Sequence, residues 1–267
     1  MNTIDLDEKF KTWARLGYSA RGLIYLVIGG LALLAAFGES GGETTDSKGA
    51  ILKILEQPFG DVMMVILIIG LLGYSSRRLI QSFRDTDGHG SSGKGLAVRF
   101  GLFISAVTHV LLAVWAARIL MGNGGGSSGG TGNSFLTTDL GQIALGIVGA
   151  AVIFTGFAHI FKGVTARFEK YMNIPADKKS WARPVCQFGL IARGVVWLIV
   201  GWFLIKSAWM AKGGEIEGMA EALQWLRDNA YGPWLLAVVA AGLFAFGVYS
   251  VLEAAYRRIN TSGAGHR

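Results

Sequence analysis

The sequence predicts an all-α integral membrane fold, six transmembrane helices arranged as three tandem two-helix repeats with pseudo-threefold symmetry, and three observations carry that prediction. Hydrophobic residues make up 52% of the 267 and charged residues only 16%, below the ~25% charged of a soluble domain. Apolar runs at 16–37, 60–80, 96–120, 140–161, 185–208 and 231–255 each approach or exceed the ~20 residues that take a helix across ~30 Å of hydrocarbon. Third, GYSARGLIYLVIGG (Gly17–Gly30) returns 172 residues later as GLIARGVVWLIVGW (Gly189–Trp202). Gly17, Ala20, Arg21, Gly22, Leu26 and Gly29 fall on Gly189, Ala192, Arg193, Gly194, Leu198 and Gly201, the signature of an internal repeat.

The first run follows a charged N-terminus but exceeds the length of a secretory h-region, and its pattern recurs as a later span, so it is a retained helix. After it, AILKILEQ (Ala50–Gln57) spaces Ile51 and Ile54 on one face, as a short helix lying on the outer membrane surface does. Repeat one, 13–84, closes with a second span in which Gly60, Gly70, Tyr74 and Gln81 correspond to Gly232, Gly242, Phe246 and Glu253. The segment 85–95 contains GHGSSGKG, which lacks the strand and the GK[ST] ending of a phosphate loop and is a linker.

Repeat two, 96–168, has drifted. GLFISAVTHVLLAV (Gly101–Val114) places Ser105 where the arginine stands, Ala106 for the next glycine and His109 for Tyr25 or Trp197. Its second span sets Gly141 on Gly60 and Lys162 on Gln81, an offset of 81, and GNGGGSSGGTGN (Gly122–Asn133) replaces the surface helix with a flexible coil. A second linker, 169–180, leads to repeat three, 181–258, where ALQWLRDN (Ala222–Asn229) restores the surface helix with Leu223 and Leu226 on its apolar face. Each repeat crosses twice, so all three share one orientation and their axis lies along the membrane normal. Ala237, Ala241 and Ala245, and more briefly Gly146 and Ala150, form small-residue stripes for helix contact.

The formal charge is +7, and its placement decides its meaning. Nineteen of the 25 Lys and Arg flank one side of the spans, and Lys48, Lys53, Arg118, Lys206, Lys212 and Arg227 are the six on the other. The positive-inside rule puts both termini on the cytoplasmic side, with the basic residues against anionic head groups and no nucleic-acid partner. The lone Cys186 forms no intramolecular disulfide and reads as packing.

The candidate intramembrane polar sites are Arg21, Gln81, His109, Lys162, Arg193 and Glu253. His109 and His159 do not suit a bis-histidine haem: measured along their helices, His109 lies about 16 Å and His159 about 5 Å from the basic end. His89 and His266, in loop and tail, carry no signal. The spans hold no HExxH, GxSxG or paired carboxylate, so no catalytic residue, metal ligand or cofactor is expected. Arg21 is shallow enough to snorkel, but Gly22 and Gly194 beside the two arginines point to close helix approach and an interior polar partner. Antiparallel packing within the third hairpin pairs Arg193 with Glu253. The first repeat keeps donor and acceptor at Arg21 and Gln81, and the second sets Ser105 opposite Lys162.

ARLGYSARG (Ala14–Gly22), its echo ARG (Ala192–Gly194) and the QPFG element (Gln57–Gly60) resemble the bacterial membrane-protein family known as domain of unknown function 1206. The resemblance covers nearly the whole chain. It implies the same six-helix, three-repeat architecture and carries across neither an activity nor a catalytic residue. The expected function is a non-enzymatic structural, scaffolding or accessory component with a membrane-protein partner. The alternative is a channel or transporter for a small solute or anion along the pseudo-threefold axis.

Overall fold

The computed structural model describes residues 3–39, 41–122, 138–209, 219–229 and 231–259. The Gly/Ser tract beyond Gly122, Lys212 and His266 lie outside the described residues. In chain order the helices are α1 (Thr3–Ala36), α2 (Ser47–Leu55), α3 (Gly60–Arg84), α4 (Gly93–Leu120), α5 (Asp139–Val164), α6 (Ala176–Trp209), α7 (Met219–Asp228) and α8 (Gly232–Tyr256), with a 3-10 turn at Arg167–Tyr171. Among the described residues the only β pairing is the isolated bridge of Met172 with Arg257. α1, α3, α4, α5, α6 and α8 are long and apolar enough to cross a membrane. Most overrun their apolar cores at the basic end, because intrahelical hydrogen bonding continues where the hydrocarbon stops.

The short helices form where the sequence places them. Asp46 caps α2 by accepting from the backbone N–H of Lys48 and Gly49, and α2 buries Ala50, Ile51 and Ile54. α7 buries the equivalent Ala222, Leu223 and Leu226. The QPFG element is the corner between α2 and α3. Phe59 takes a left-handed φ of 62°, and a Cβ on Gly60 would stand 2.0 Å from the Leu55 carbonyl oxygen. Tyr231, also at φ 62°, and Gly232 repeat this corner before α8. Only glycine permits so close a return of the chain.

The spans pack in the order α4, α3, α1, α8, α6, α5. The second helix of each repeat lies against the first helix of the next, α3 on α4, α5 on α6 and α8 on α1, which is the cyclic relation a threefold arrangement requires. Glycines make the last two seams close. A Cβ on Gly22 would meet the Gly247 carbonyl oxygen at 3.1 Å, and one on Gly194 the Gly156 carbonyl oxygen at 2.7 Å. Without a solvent-driven force between helices in lipid, such backbone approach is what holds them.

The cycle does not close. The first and third hairpins are packed internally: a Cβ on Gly17 would strike the Tyr74 backbone nitrogen at 2.3 Å and one on Gly189 the Phe246 backbone nitrogen at 2.4 Å. Gly101 occupies the same position in α4, yet nothing lies within 4 Å of its Cβ site, and α4 and α5 share no packed face. The bundle is therefore an arc with one open side, and Ser105 and Lys162 are not set opposite one another. The expected Gly146/Ala150 stripe is also corrected. Ala150 is exposed, and although Gly146 reaches Ala208 on α6, the tight α5–α6 contacts run through Gly149, Gly156 and Gly163, every seventh residue and hence one face.

Candidate functional site

At the level of the repeated arginines the interior holds a polar, aromatic cluster. Arg21 is 3% exposed, so it does not snorkel. Its Nη1 donates to Tyr74 Oη at 2.7 Å, its Nε to Ser250 Oγ at 3.1 Å and its Nη2 to Glu253 Oε2. Glu253, 1% exposed, accepts from Arg257 through its other oxygen. Both oxygens of this buried carboxylate are thus charge-paired, which is the condition for offsetting the desolvation penalty of a buried ion.

This arrangement overturns the Arg193–Glu253 pair. The seam between repeats three and one, with Gly22 and Gly247 on it, brings α1 close to α8 at the depth of the arginines, and Arg21 takes the carboxylate across that seam. Gln81 is likewise not Arg21's acceptor. Its Nε2 donates to Asp87 Oδ2 at 2.7 Å, and its Oε1 accepts from Arg78 Nη1 at 3.4 Å.

Arg193 sits differently. Its guanidinium carbon lies 4.3 Å from the Phe246 ring centroid, 5.0 Å from Tyr25 and 5.4 Å from Trp197, a cation held over aromatic faces. Phe246 lies between the two arginines, with Arg21 5.2 Å from its centroid. His159 Nδ1 lies 2.8 Å from the Thr155 carbonyl oxygen, to which it donates, leaving Nε2 to face Arg193 Nη1 at 3.5 Å. Among the described residues no carboxylate pairs with Arg193, and its Nε, like Trp197 Nε1, has no hydrogen-bond partner. Lys162 Nζ donates to Tyr249 Oη at 2.9 Å. His109 Nδ1 donates to the Ser105 carbonyl oxygen at 2.7 Å, and its ring lies tilted against that of Tyr74 with centroids 4.6 Å apart. His109 and His159 thus belong to separate settings, one on Tyr74 and one on Arg193.

The linker 85–95 is part of this cluster, contrary to its reading as a plain connection. Asp85 accepts from the backbone N–H of His89 and Gly90 and folds the loop. Asp87 then reaches Arg257 at 2.9 Å and Arg77 at 3.3 Å. Burial raises the Asp87 carboxyl, but the Arg257 and Arg77 guanidiniums outweigh it and hold the group below its ordinary range. Of the sequence-predicted residues, Arg21 and Glu253 meet directly, Gln81 joins through Arg78 and Asp87, and His109, Lys162 and Arg193 line the same interior from the flanks. Asp87, Arg257, Tyr74 and Arg78 were not singled out for the site. The alignment of Tyr74 with Phe246 was the available signal, since both stand against the glycine before the arginine.

The model of the family described as Domain of Unknown Function (DUF1206) matches residues 16–85, 100–166 and 188–257, three tandem regions. The Bacillus subtilis (strain 168) protein "Uncharacterized protein YxxB" is 33% identical over 254 residues, covering 93% of this chain and 92% of that protein. No solved structure matches the chain.

Proposed function

Because the chain belongs to the Domain of Unknown Function (DUF1206) family, which supplies no chemistry of its own, we propose its function from the architecture: a non-enzymatic structural or accessory component of the bacterial plasma membrane. One observation carries the reading. The interior where a conduit would run is occupied by Phe246, 1% exposed, with arginines on two sides and the Arg21–Glu253–Arg257 ion pairs beneath it. α4 and α5, by contrast, bury only 17% and 11% of their apolar cores within the chain. A photo-crosslinker at Leu111 or Ile147, both exposed, is expected to form a discrete protein adduct in intact membranes. Lipid adducts alone at both positions would sink the accessory reading.

A small-anion conduit is the second reading, favoured by the excess of cations in the interior. Purified protein in liposomes then passes an anion, and His109→Leu changes that flux. A panel of small anions giving no flux above empty vesicles removes it.

The orientation proposed has both termini and the 85–95 and 169–180 segments in the cytoplasm, supported by the nineteen-to-six division of basic residues. With Cys186 replaced by serine, a cysteine at Glu56 in the exposed corner after α2 should react with an impermeant maleimide on intact cells. One at Lys94 should react only after lysis. The reverse pattern inverts the topology.

A further inference from the structure

We propose that the interior flank beside the α5–α6 seam is a binding site for a phosphate group, taken by Arg193 and Lys162 with His159 holding the guanidinium in place. The inference goes beyond the accessory reading and does not depend on it.

It starts from the internal symmetry. The offsets of 172 and 81 that relate the repeats place His159 at the position of Ser250 and Lys162 at that of Glu253. At the α8–α1 seam Arg21 donates to Ser250 and pairs with Glu253. At the α5–α6 seam the first contact survives as Arg193 against His159 at 3.5 Å. The second does not, because a lysine stands where the carboxylate stood. The seam keeps the geometry of an ion-pair site and has lost its anion.

The charge balance points the same way. Around the cluster the six cations Arg21, Arg77, Arg78, Arg193, Arg257 and Lys162 share two carboxylates, Glu253 and Asp87, whose ion pairs among the described residues go to Arg21, Arg257 and Arg77 and not to Arg193 or Lys162. His159 lies within electrostatic reach of both Arg193 and Lys162 and stands three residues before Lys162 on the same face of α5. Aromatic faces stabilise a cation but do not neutralise it, and an unneutralised charge at this depth is costly. Arg193 Nε and Trp197 Nε1 remain unpartnered.

Access is asymmetric too. Arg21 is buried, whereas Arg193, His159 and Thr155 are half-buried, on the flank where α5 has no helix on its far side. The chemistry selects the ligand class. Arg193, with its unpartnered Nε, and Lys162, which among the described residues donates only to the neutral Tyr249 hydroxyl, match the acceptor oxygens of a phosphate, whether carried by a lipid or free in solution.

The test uses the full chain, washed free of native lipid in nonionic detergent, with its thermal midpoint followed against phosphatidylglycerol, phosphatidylcholine or inorganic phosphate. A saturable rise with phosphatidylglycerol and none with the other two assigns the site to the phosphate of an anionic lipid, since the choline of phosphatidylcholine neutralises its own phosphate. A saturable rise with inorganic phosphate assigns it to the free anion. In either case Arg193→Gln should raise the half-saturating concentration about tenfold, the effect of one charge-assisted contact, while Lys178→Gln at the exposed start of α6 leaves it unchanged. Lys162→Glu restores the carboxylate found at the α8–α1 seam. It should raise the midpoint in lipid-free detergent and abolish the response to added anion. No saturable rise with either phosphate source overturns the proposal. So does a rise with unchanged half-saturation in Arg193→Gln and Lys162→Glu.

Discussion

At the scale of single residues, Glu253 organises the interior, since one buried carboxylate neutralises Arg21 from the first repeat and Arg257 from its own helix. Removing one member of a buried pair leaves the other uncompensated and costs ~3–5 kcal/mol. Glu253→Gln strips two arginines and should therefore destabilise more than Arg21→Gln in detergent unfolding. The double variant should recover part of the loss, whereas Arg193→Gln combined with Glu253→Gln should be closer to additive. Strict additivity for the Arg21 cycle would mean that the two side chains do not interact. Asp87 adds a pH dependence. Its folded carboxyl lies below the ordinary value, so its contribution is complete above about pH 4, the value of an unfolded aspartate, and is lost as pH falls through the folded one. Wild type should lose thermal stability over that acid range by more than Asp87→Asn does. Parallel pH profiles for the two proteins would remove Asp87 from the account.

At the scale of helices, the glycine before each arginine position offers a controlled comparison, because the same residue at the same place in the repeat meets different surroundings. A Cβ on Gly17 would lie 2.3 Å from a backbone atom of Tyr74, while one on Gly101 meets nothing within 4 Å. Gly17→Ala should force α1 and α3 apart and cost ~1–3 kcal/mol, the usual penalty of overpacking. Gly101→Ala should instead stabilise by ~0.5–1 kcal/mol, because alanine loses less backbone entropy in a helix than glycine does. Thermal midpoints of the two variants against wild type check this. Equal effects would show that α4 packs at Gly101 as α1 does at Gly17. The same comparison explains which seams the sequence revealed. The ARG motif marked Gly22 and Gly194 directly, but the heptad of Gly149, Gly156 and Gly163 was masked by the nearer pair Gly146 and Ala150. Small residues at four-residue spacing are abundant in any apolar helix, and only the neighbour's surface decides which of them are used.

At the scale of the molecule, six spans, three repeats and two surface helices were legible because each leaves a periodic trace: run length, offset and apolar spacing. Contacts between repeats leave none. Antiparallel neighbours within a hairpin are the default inference from a short connection, which pairs Glu253 with Arg193, whereas in the structure Arg21 takes the carboxylate across the α8–α1 seam, 232 residues away. The open side was equally hidden, although it falls on the repeat whose sequence has drifted. Thr155 holds the place that Tyr74 and Phe246 fill in the other hairpins, and no large ring stands there to meet Gly101. That opening yields the last prediction. A disulfide needs Cβ atoms about 3.8 Å apart, and a cysteine pair at Gly146 and Ala208 across the packed α5–α6 seam has that separation, 3.8 Å. In a background lacking Cys186, this pair should oxidise readily in membranes. A pair at Gly101 and Thr155, the places that touch in the other two hairpins, should stay reduced under the same treatment and be joined only by a long bifunctional maleimide. Rapid oxidation of the Gly101/Thr155 pair would mean that the cycle closes in the bilayer, and the half-buried flank of Arg193 would then be covered by α4.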